Sequence, residues 1–475
     1  MQEFGPLPLV FCNLYFIRET CYIKIQKFSP PGGRMEMVNT KKSANQKESV
    51  AAPLPRTLQI GGKVLAAYAA VFGAFHMLLT VLKFYVGLDY MGLLYVDYAL
   101  FLVLALGASG YALAARCRHP EAAPRKKAFA KRILHKENVL LLALMIWFII
   151  SCLYVSNDQG GNWLLYNLPS LFDMAVSLLV LFTLAQFMPG RRTLDILCDI
   201  FIFLLTLLMT AVLAVLLTTG SFQTPVGVVA MIEGRLNISS NPNTVGMYAG
   251  LLIMLCLYRM ADAKPALRLL YALAAVIHFI ILSLSSSFSS LFSIMVGLGL
   301  AALLLTWRLL RGKKSWLRFW LSVLAMVAAM ILAYLGRSIV IQVWNLLTGG
   351  ENARDVSEGN LFNRLDIYRF AIKGLFFKLR IFVFGVTPVS VDSLISIVSD
   401  GKYNLYTHNQ FLEVALSMGA PGLLMYTVWL AWLAIACVRV ALAREDSGVS
   451  LAQRLLPVLI LTQVAGNLAE GMLLF

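Results

Sequence analysis

Charge is what this chain has least of. Only 13% of its 475 residues are Asp, Glu, Lys or Arg, while 59% are hydrophobic. A soluble globular chain carries roughly 25% charged residues, and a mean hydropathy of +0.77 excludes that class. Cysteine is sparse and unpatterned: seven residues, no Cys-x-x-Cys pair, and Cys152, Cys198, Cys256 and Cys437 inside apolar runs. Neither a disulfide framework nor a zinc site is implied. The chain also has no Asp-x-Asp pair, the acidic seat that divalent cations commonly use, and no internal repeat.

What is present in abundance is the apolar run. Crossing about 30 Å of hydrocarbon at 1.5 Å per residue takes roughly 17 to 25 residues. Runs of that kind fall near 63–84, 93–115, 138–155, 169–188, 194–218, 243–260, 268–285, 288–307, 319–337, 414–438 and 455–474. The expected fold is therefore an all-α polytopic membrane protein of about 11–12 spanning helices, the last weakened by Asn467 and Glu470 and followed by the chain end at Phe475. Residues 1–60 are expected to be a poorly structured cytoplasmic segment. Their apolar run from Pro6 to Ile17 is too short to span and lacks a positive flank. Gly32-Gly33-Arg34 can be encoded by a purine-rich ribosome-binding stretch, so a start at Met35 or Met37 is a hypothesis that N-terminal sequencing tests.

A net charge of +16 could suggest nucleic acid, but the basic residues form short clusters between apolar runs rather than one basic domain. Arg116 to Lys136, Arg191-Arg192, Arg259 to Arg268, Arg308 to Arg318 and Arg439 to Arg454 each follow an even-numbered span. This is the positive-inside pattern. It puts two polar loops outside, 220–243 and 338–410.

Basic residues in outer loops need another reason. The second loop holds Arg354, Arg364, Arg369, Lys373, Lys378, Arg380, Lys402 and His408, the last at the junction with an apolar run. From Leu361 to Arg380 the residues Leu361, Leu365, Tyr368, Ile372, Leu375, Phe376 and Leu379 recur at helical spacing. An amphipathic helix lying along the membrane is expected there. On it Arg369, Lys373 and Arg380 share one flank within about 40°, and Arg364, beside Asn363, takes the opposite one. In the first loop Arg235 follows Glu233-Gly234 and precedes Asn241-Pro242-Asn243. Arg235 can pair with Glu233, and Asn241-Pro242-Asn243 can simply start the sixth helix.

Arginines and a histidine at a membrane surface suit a diphosphate leaving group. Guanidinium forks bind phosphate oxygens, each charge-assisted bond contributing roughly 1.5–3 kcal/mol. The outer acids Glu351, Asp355, Glu358, Asp366, Asp392 and Asp400 show no metal-ligand spacing, so arginine carries the electrostatic burden. An imidazole, with an ordinary pKa of about 6.5, can accept a hydroxyl proton as general base. His76 and His278 lie inside apolar runs and read as packing or partner-bonded residues.

The segment Asn363-Arg364, Phe384-Gly385-Val386, His408-Asn409-Gln410-Phe411-Leu412 and Gly419-Ala420-Pro421-Gly422 resembles the O-antigen ligase and polymerase superfamily of bacterial envelope glycan enzymes. Arg235 with Asn241-Pro242-Asn243 resembles that family's earlier loop motif. The resemblance implies metal-independent, inverting transfer of a glycan from a polyprenyl diphosphate carrier at the outer face of the cytoplasmic membrane, with no cofactor. The acceptor would be a glycolipid, a glycan or a protein. Arg235 and Arg364 map onto its diphosphate binders and His408 onto its histidine; Asn243, Arg369 and Asn409 are additional candidates. Many members have Ser-Arg-Gly after the seventh helix, where this chain has Ser285-Ser286-Ser287. A polymerase of the same superfamily and a non-enzymatic flippase for the same lipid are the alternatives. The candidate buried acids Asp97, Asp173 and Asp199 lie toward predicted helix ends, which favours an enzyme over a transporter.

Overall fold

The structure is a computed structural model. It describes residues 136–158, 191–349, 359–442 and 450–467, interrupted at 225–226, 233, 239–241, 388–389, 404–406 and 408, with helical pieces between 60 and 72 and between 96 and 111. The expectations for residues 1–59 and for a span at 169–188 lie outside the described residues, and so does His408. In chain order the elements are α1 (Lys136–Asp158), α2 (Arg191–Thr219), β1 (Ser221–Thr224), β2 (Gly227–Ile232), β3 (Arg235–Ile238), α3 (Pro242–Asp262), α4 (Pro265–Ser285), α5 (Phe288–Leu309), α6 (Ser315–Thr348), α7 (Gly359–Leu375), α8 (Leu379–Phe384), α9 (Val391–Val398), α10 (Gln410–Ala441) and α11 (Leu451–Asn467).

Six helices among the described residues are long and apolar enough to span: Cys198–Thr219, Val245–Asp262, Pro265–Ser285, Phe288–Leu309, Ser315–Thr348 and Gln410–Ala441. Shorter apolar helices cover Leu142–Val155 and Leu451–Gly466. The protein is a multi-pass membrane protein built almost wholly of helices. Most of α3 is buried, because α2, α4, α5 and α11 surround it. Small residues allow that closeness. A Cβ at Gly297 of α5 would lie 2.3 Å from Thr462 Oγ1, and Ser293 Oγ donates to Thr462 O at 2.6 Å.

Chain connectivity gathers β1–β3, the α4–α5 turn, the end of α6, helices α7–α9 and the start of α10 at one end of the bundle, here called the loop end. The first loop is a three-stranded antiparallel sheet in the order β1-β2-β3, with Ile232 opposite Arg235 across the tight turn at Gly234 (φ 71°). The second loop starts later than 338. Helix α6 continues through 34 residues to Thr348, where Gly349 (φ 68°) caps it. At 1.5 Å per residue it is roughly 51 Å long, well beyond the hydrocarbon thickness.

The single amphipathic helix expected over 361–380 is two helices. Helix α7 ends at Leu375, the chain extends at Lys378 (φ −145°, ψ 145°), and α8 begins at Leu379. Arg380 therefore does not share a flank with Arg369 and Lys373. The physical reason is a second apolar face. Ile367, Ala371 and Leu375 are buried, the last two in a core with Ile381, Val386, Val391, Leu394, Ile395, Val398, Ala415 and Leu416. The expected stripe is largely the exposed one: Leu365 is 54% exposed, Ile372 50%, Phe376 67% and Leu379 79%.

This small core is fastened to α10 by backbone. Helix α10 breaks at Gly419 (φ 72°, ψ −176°), two residues before Pro421, whose ring cannot tolerate the carbonyl of residue 417 in helical position. The carbonyls released by the break find donors: Val386 N–H to Leu416 O at 2.8 Å, Thr387 N–H to Ser417 O at 3.1 Å, and Trp147 Nε1–H to Met418 O at 2.7 Å. Two glycines permit the approach. A Cβ at Gly385 (φ 75°) would lie 2.3 Å from Ser417 C, and one at Gly419 would lie 2.2 Å from Val383 O. Helix α1 closes the far side: the Ser151 hydroxyl donates to Phe384 O, and the Phe384 ring stacks on Tyr154 and Trp147 at 4.1 and 5.5 Å. Gly385→Ala and Gly419→Ala are each expected to cost about 2–5 kcal/mol, strain at positive φ plus overlap. Gly312→Ala, at φ 87° with nothing within 4 Å, meets strain alone and is expected to cost about 1–3 kcal/mol. Thermal unfolding in detergent checks this, and equal shifts for all three would contradict the interlock.

Candidate functional site

Arg235 opens β3 immediately after the turn, and its guanidinium is held by two helix ends. Nε donates to Ser285 O at 3.1 Å, the last carbonyl region of α4, and Nη2 donates to Asn243 Oδ1 at 2.6 Å in the first turn of α3. A cation at a helix C-terminus meets orphan carbonyls and the negative end of the dipole. The neighbouring turn explains why the helices end there. Ser286 adopts the left-handed conformation (φ 47°) and caps α4, and Ser287 starts α5, its Oγ accepting from Ser290 N–H. Ser290 Oγ in turn donates to the backbone carbonyl of Asn243 at 3.2 Å. Gly246 of α3 lets the serines come close, since a Cβ there would lie 2.6 Å from Ser285 Oγ. The structure thus brings Arg235 and Asn243 together. Helix α3 does begin at Pro242, as the capping reading of that motif expected.

The second half of the site is the start of α10. Asn409 is its N-cap: Oδ1 accepts from Phe411 N–H at 3.0 Å and Leu412 N–H at 3.2 Å. Thr407 is fully buried, and both its N–H (3.1 Å) and its hydroxyl (2.7 Å) donate to Glu413 Oε2. The two chain neighbours of His408 are therefore pinned. Glu413 thus holds the residue that precedes position 408.

Arg364 lies half-buried on α7, and Arg369 is exposed. Helix α7 is tied to the segment that leads to Thr407: Lys402 Nζ and Tyr403 OH donate to Asp366 Oδ2 at 3.1 and 3.2 Å, and the Phe370 and Tyr403 rings meet at 5.8 Å. The Lys402 hydrogen bond, followed by that of Tyr403, holds the Asp366 carboxyl below its ordinary value. Such an exposed pair orders the segment more than it stabilises the fold. Sequence reading missed Asp366, Tyr403 and the serine turn as organisers of the site; only the run of serines carried a signal.

The opposite end of the bundle carries a different network. Arg259 of α3 donates to both oxygens of Asp199 (2.6 and 2.8 Å) and pairs with Asp195 at 2.9 Å, while Tyr271 OH and Tyr258 OH donate to Asp199 and Asp195. This bidentate pairing ties α2, α3 and α4 together. His278 of α4 is fully buried with Nε2 at 3.0 Å from Thr206 Oγ1, a bond between helices. Among the described residues, His, Cys, Asp and Glu form no group of three that could hold a metal ion.

Residues 273–427 match the family model described as O-antigen ligase. The matched region runs from α4 through the interlocked glycines to the middle of α10 and includes Arg364, Arg369, His408 and Asn409. Arg235 and Asn243 lie outside it and are joined to it through Ser285 and Ser290. No curated protein matches the chain.

The cap at Asn409 can be tested on its own. Asn409→Ala is expected to lower stability by about 1 kcal/mol and Asn409→Ser by only a few tenths. Thermal unfolding of the purified protein in detergent measures both; equal losses would remove the cap.

Proposed function

Taking the O-antigen ligase match of residues 273–427 as premise, we propose that the chain transfers a glycan from a polyprenyl diphosphate carrier to an acceptor at the outer face of the cytoplasmic membrane. The observation that carries the proposal is the common location of its groups. The Arg235–Asn243 pair on the serine turn, helix α7 with Arg364, and the pinned turn around residue 408 all stand at the loop end of the bundle.

In this reaction the acceptor hydroxyl oxygen attacks the anomeric carbon from the side opposite the diphosphate. Its proton passes to the His408 imidazole, which acts as general base. The bond between the anomeric carbon and the phosphate oxygen breaks, its electron pair leaves with the diphosphate, and the configuration at the anomeric carbon inverts. Arg235 and Arg364 take up the charge that develops on the leaving group. Preorganised donors of this kind act most strongly where water is excluded, and guanidinium is always charged and fits phosphate bidentately. No metal is needed in this scheme. The serine turn and Asn243 fix Arg235 before substrate arrives, so little reorganisation remains for the reaction.

A ligase and a polymerase share this donor chemistry and differ in the acceptor, which is a foreign glycolipid, glycan or protein in one case and a lipid-linked repeat in the other. The flippase alternative loses one of its candidate buried acids, because Asp199 is committed to Arg259.

His408→Ala and Arg364→Ala are expected to abolish glycan transfer in membranes, a loss of about a hundredfold or more, while the protein still inserts and purifies as a folded species. Full transfer activity in both variants would sink the mechanism.

A further inference from the structure

We propose that the corner between α7 and α8 is embedded in the leaflet at the loop end, so that the second loop re-enters the membrane and phospholipid acyl chains cover Phe376, Phe377 and Leu379. The proposal is independent of the glycan-transfer reading, because none of its observations involves Arg235, Arg364 or His408.

The depth of this segment can be counted along two membrane helices. The apolar stretch of α1 is Leu142–Val155. Its first end lies toward the basic cluster 116–136, so Val155 faces the loop end. The Phe384 ring stacks on Tyr154 and Trp147, and Ser151 Oγ donates to Phe384 O. Those three α1 residues stand within eight positions of Val155, which is roughly 2–12 Å inward at 1.5 Å per residue. On α10, the chain leaving α8 donates from Val386 N–H to Leu416 O and from Thr387 N–H to Ser417 O. Leu416 is six residues inside the span Gln410–Ala441, roughly 9 Å from its first residue. The end of α7 sits at the same level, since a Cβ at Gly374 would lie 3.7 Å from Leu416 Cδ2. The segments on both sides of the corner are therefore within about 12 Å of the bilayer boundary, a range that brackets the roughly 5–10 Å at which interfacial helices bury their apolar face.

Backbone and side chains divide as a lipid environment requires. Unpaired peptide groups are not tolerated against acyl chains, and the non-helical stretch is the covered part: Gly385, Val386 and Thr387 are buried, the last two donating to α10. The outward side chains are apolar. Phe376, Phe377 and Leu379 are exposed, and Phe376 stacks on Phe382 at 5.4 Å. They continue the lipid-facing surface of α1, where Ile150, Leu153 and Tyr154 are exposed and Tyr154 touches Phe384.

Charge complements the headgroups of such a leaflet. Between residues 367 and 391 the chain has four cations, Arg369, Lys373, Lys378 and Arg380, and no Asp or Glu. Lys373 and Lys378 are exposed. Lys378 lies within the corner itself, its Nζ 5.7 Å from the Phe377 ring centroid. A lysine so placed lays its stem in the apolar layer while its ammonium reaches lipid phosphate.

The test uses the full-length protein in nanodiscs of phosphatidylethanolamine and phosphatidylglycerol. A phospholipid carrying a diazirine on its acyl chain is included, the sample is irradiated, and adducts are mapped by mass spectrometry. Adducts are expected at residues 376–379 as well as around Leu332, which is exposed in the middle of α6. Labelling of α6 with none at the corner would overturn the proposal, and this experiment needs no substitution. Depth is then read from nitroxides on Phe376→Cys and Leu379→Cys, in a background without native cysteines that keeps the wild-type melting temperature. Both labels are expected to favour collision with oxygen over a water-soluble nickel chelate several-fold more than a label on Lys313→Cys, an exposed position between α5 and α6, and to approach a label on Leu332→Cys. Ratios equal to that at residue 313 would contradict embedding.

Discussion

The helices of the second loop depend on a contact between two backbones that side chains would prevent. Gly385 and Gly419 both have positive φ, and each would place a Cβ within 2.3 Å of the other segment's backbone. With glycine at both positions, the break in α10 hands its carbonyls to Val386 and Thr387. The loop helices α7–α9 then acquire a fixed base on a membrane helix, and their own core forms with Ala415 and Leu416 of α10. The start of α10, where Thr407, Asn409 and Glu413 order the chain around residue 408, is the same piece of structure nine residues earlier. The loop motifs and the helix motif are thus one device, and the resemblance that spans them reflects a physical coupling.

Electrostatics sets the second constraint. The two ends of the bundle use arginine differently. Arg235 rests on a helix C-terminus and an amide. At the opposite end of the bundle the same residue type is fully matched, with Arg259 against Asp195 and Asp199. One end is closed by ion pairs and holds helices together. The other holds Arg235 against the C-terminus of α4, at the end where the proposed site lies.

Sequence made the membrane helices legible because hydropathy and length alone define them. It also made Arg235 with Asn243, and Arg364, stand out as a group, since arginine in a loop of an otherwise apolar chain has few structural uses. The sheet is readable in principle, as Gly227 to Ile232 followed by Glu233-Gly234 is a hairpin pattern, within what composition marks only as a polar loop. The extent of the amphipathic helix was misread because Phe376 and Leu379 continue the apolar period past Leu375, and no Gly or Pro marks the break at Lys378. The true buried face, Ile367, Ala371 and Leu375, could be recognised only once the partner core was known. Contacts such as Arg235 with Ser285, fifty positions apart, leave no trace in local pattern.

The most direct measurement is a transfer assay with purified protein, a labelled polyprenyl diphosphate oligosaccharide and candidate acceptors, read as product length and anomeric configuration. The account predicts a covalent product with inverted linkage and release of the polyprenyl diphosphate; a ladder of lengths identifies a polymerase, and a single addition to a foreign acceptor identifies a ligase. Movement of the labelled lipid across a bilayer with no covalent product would contradict it.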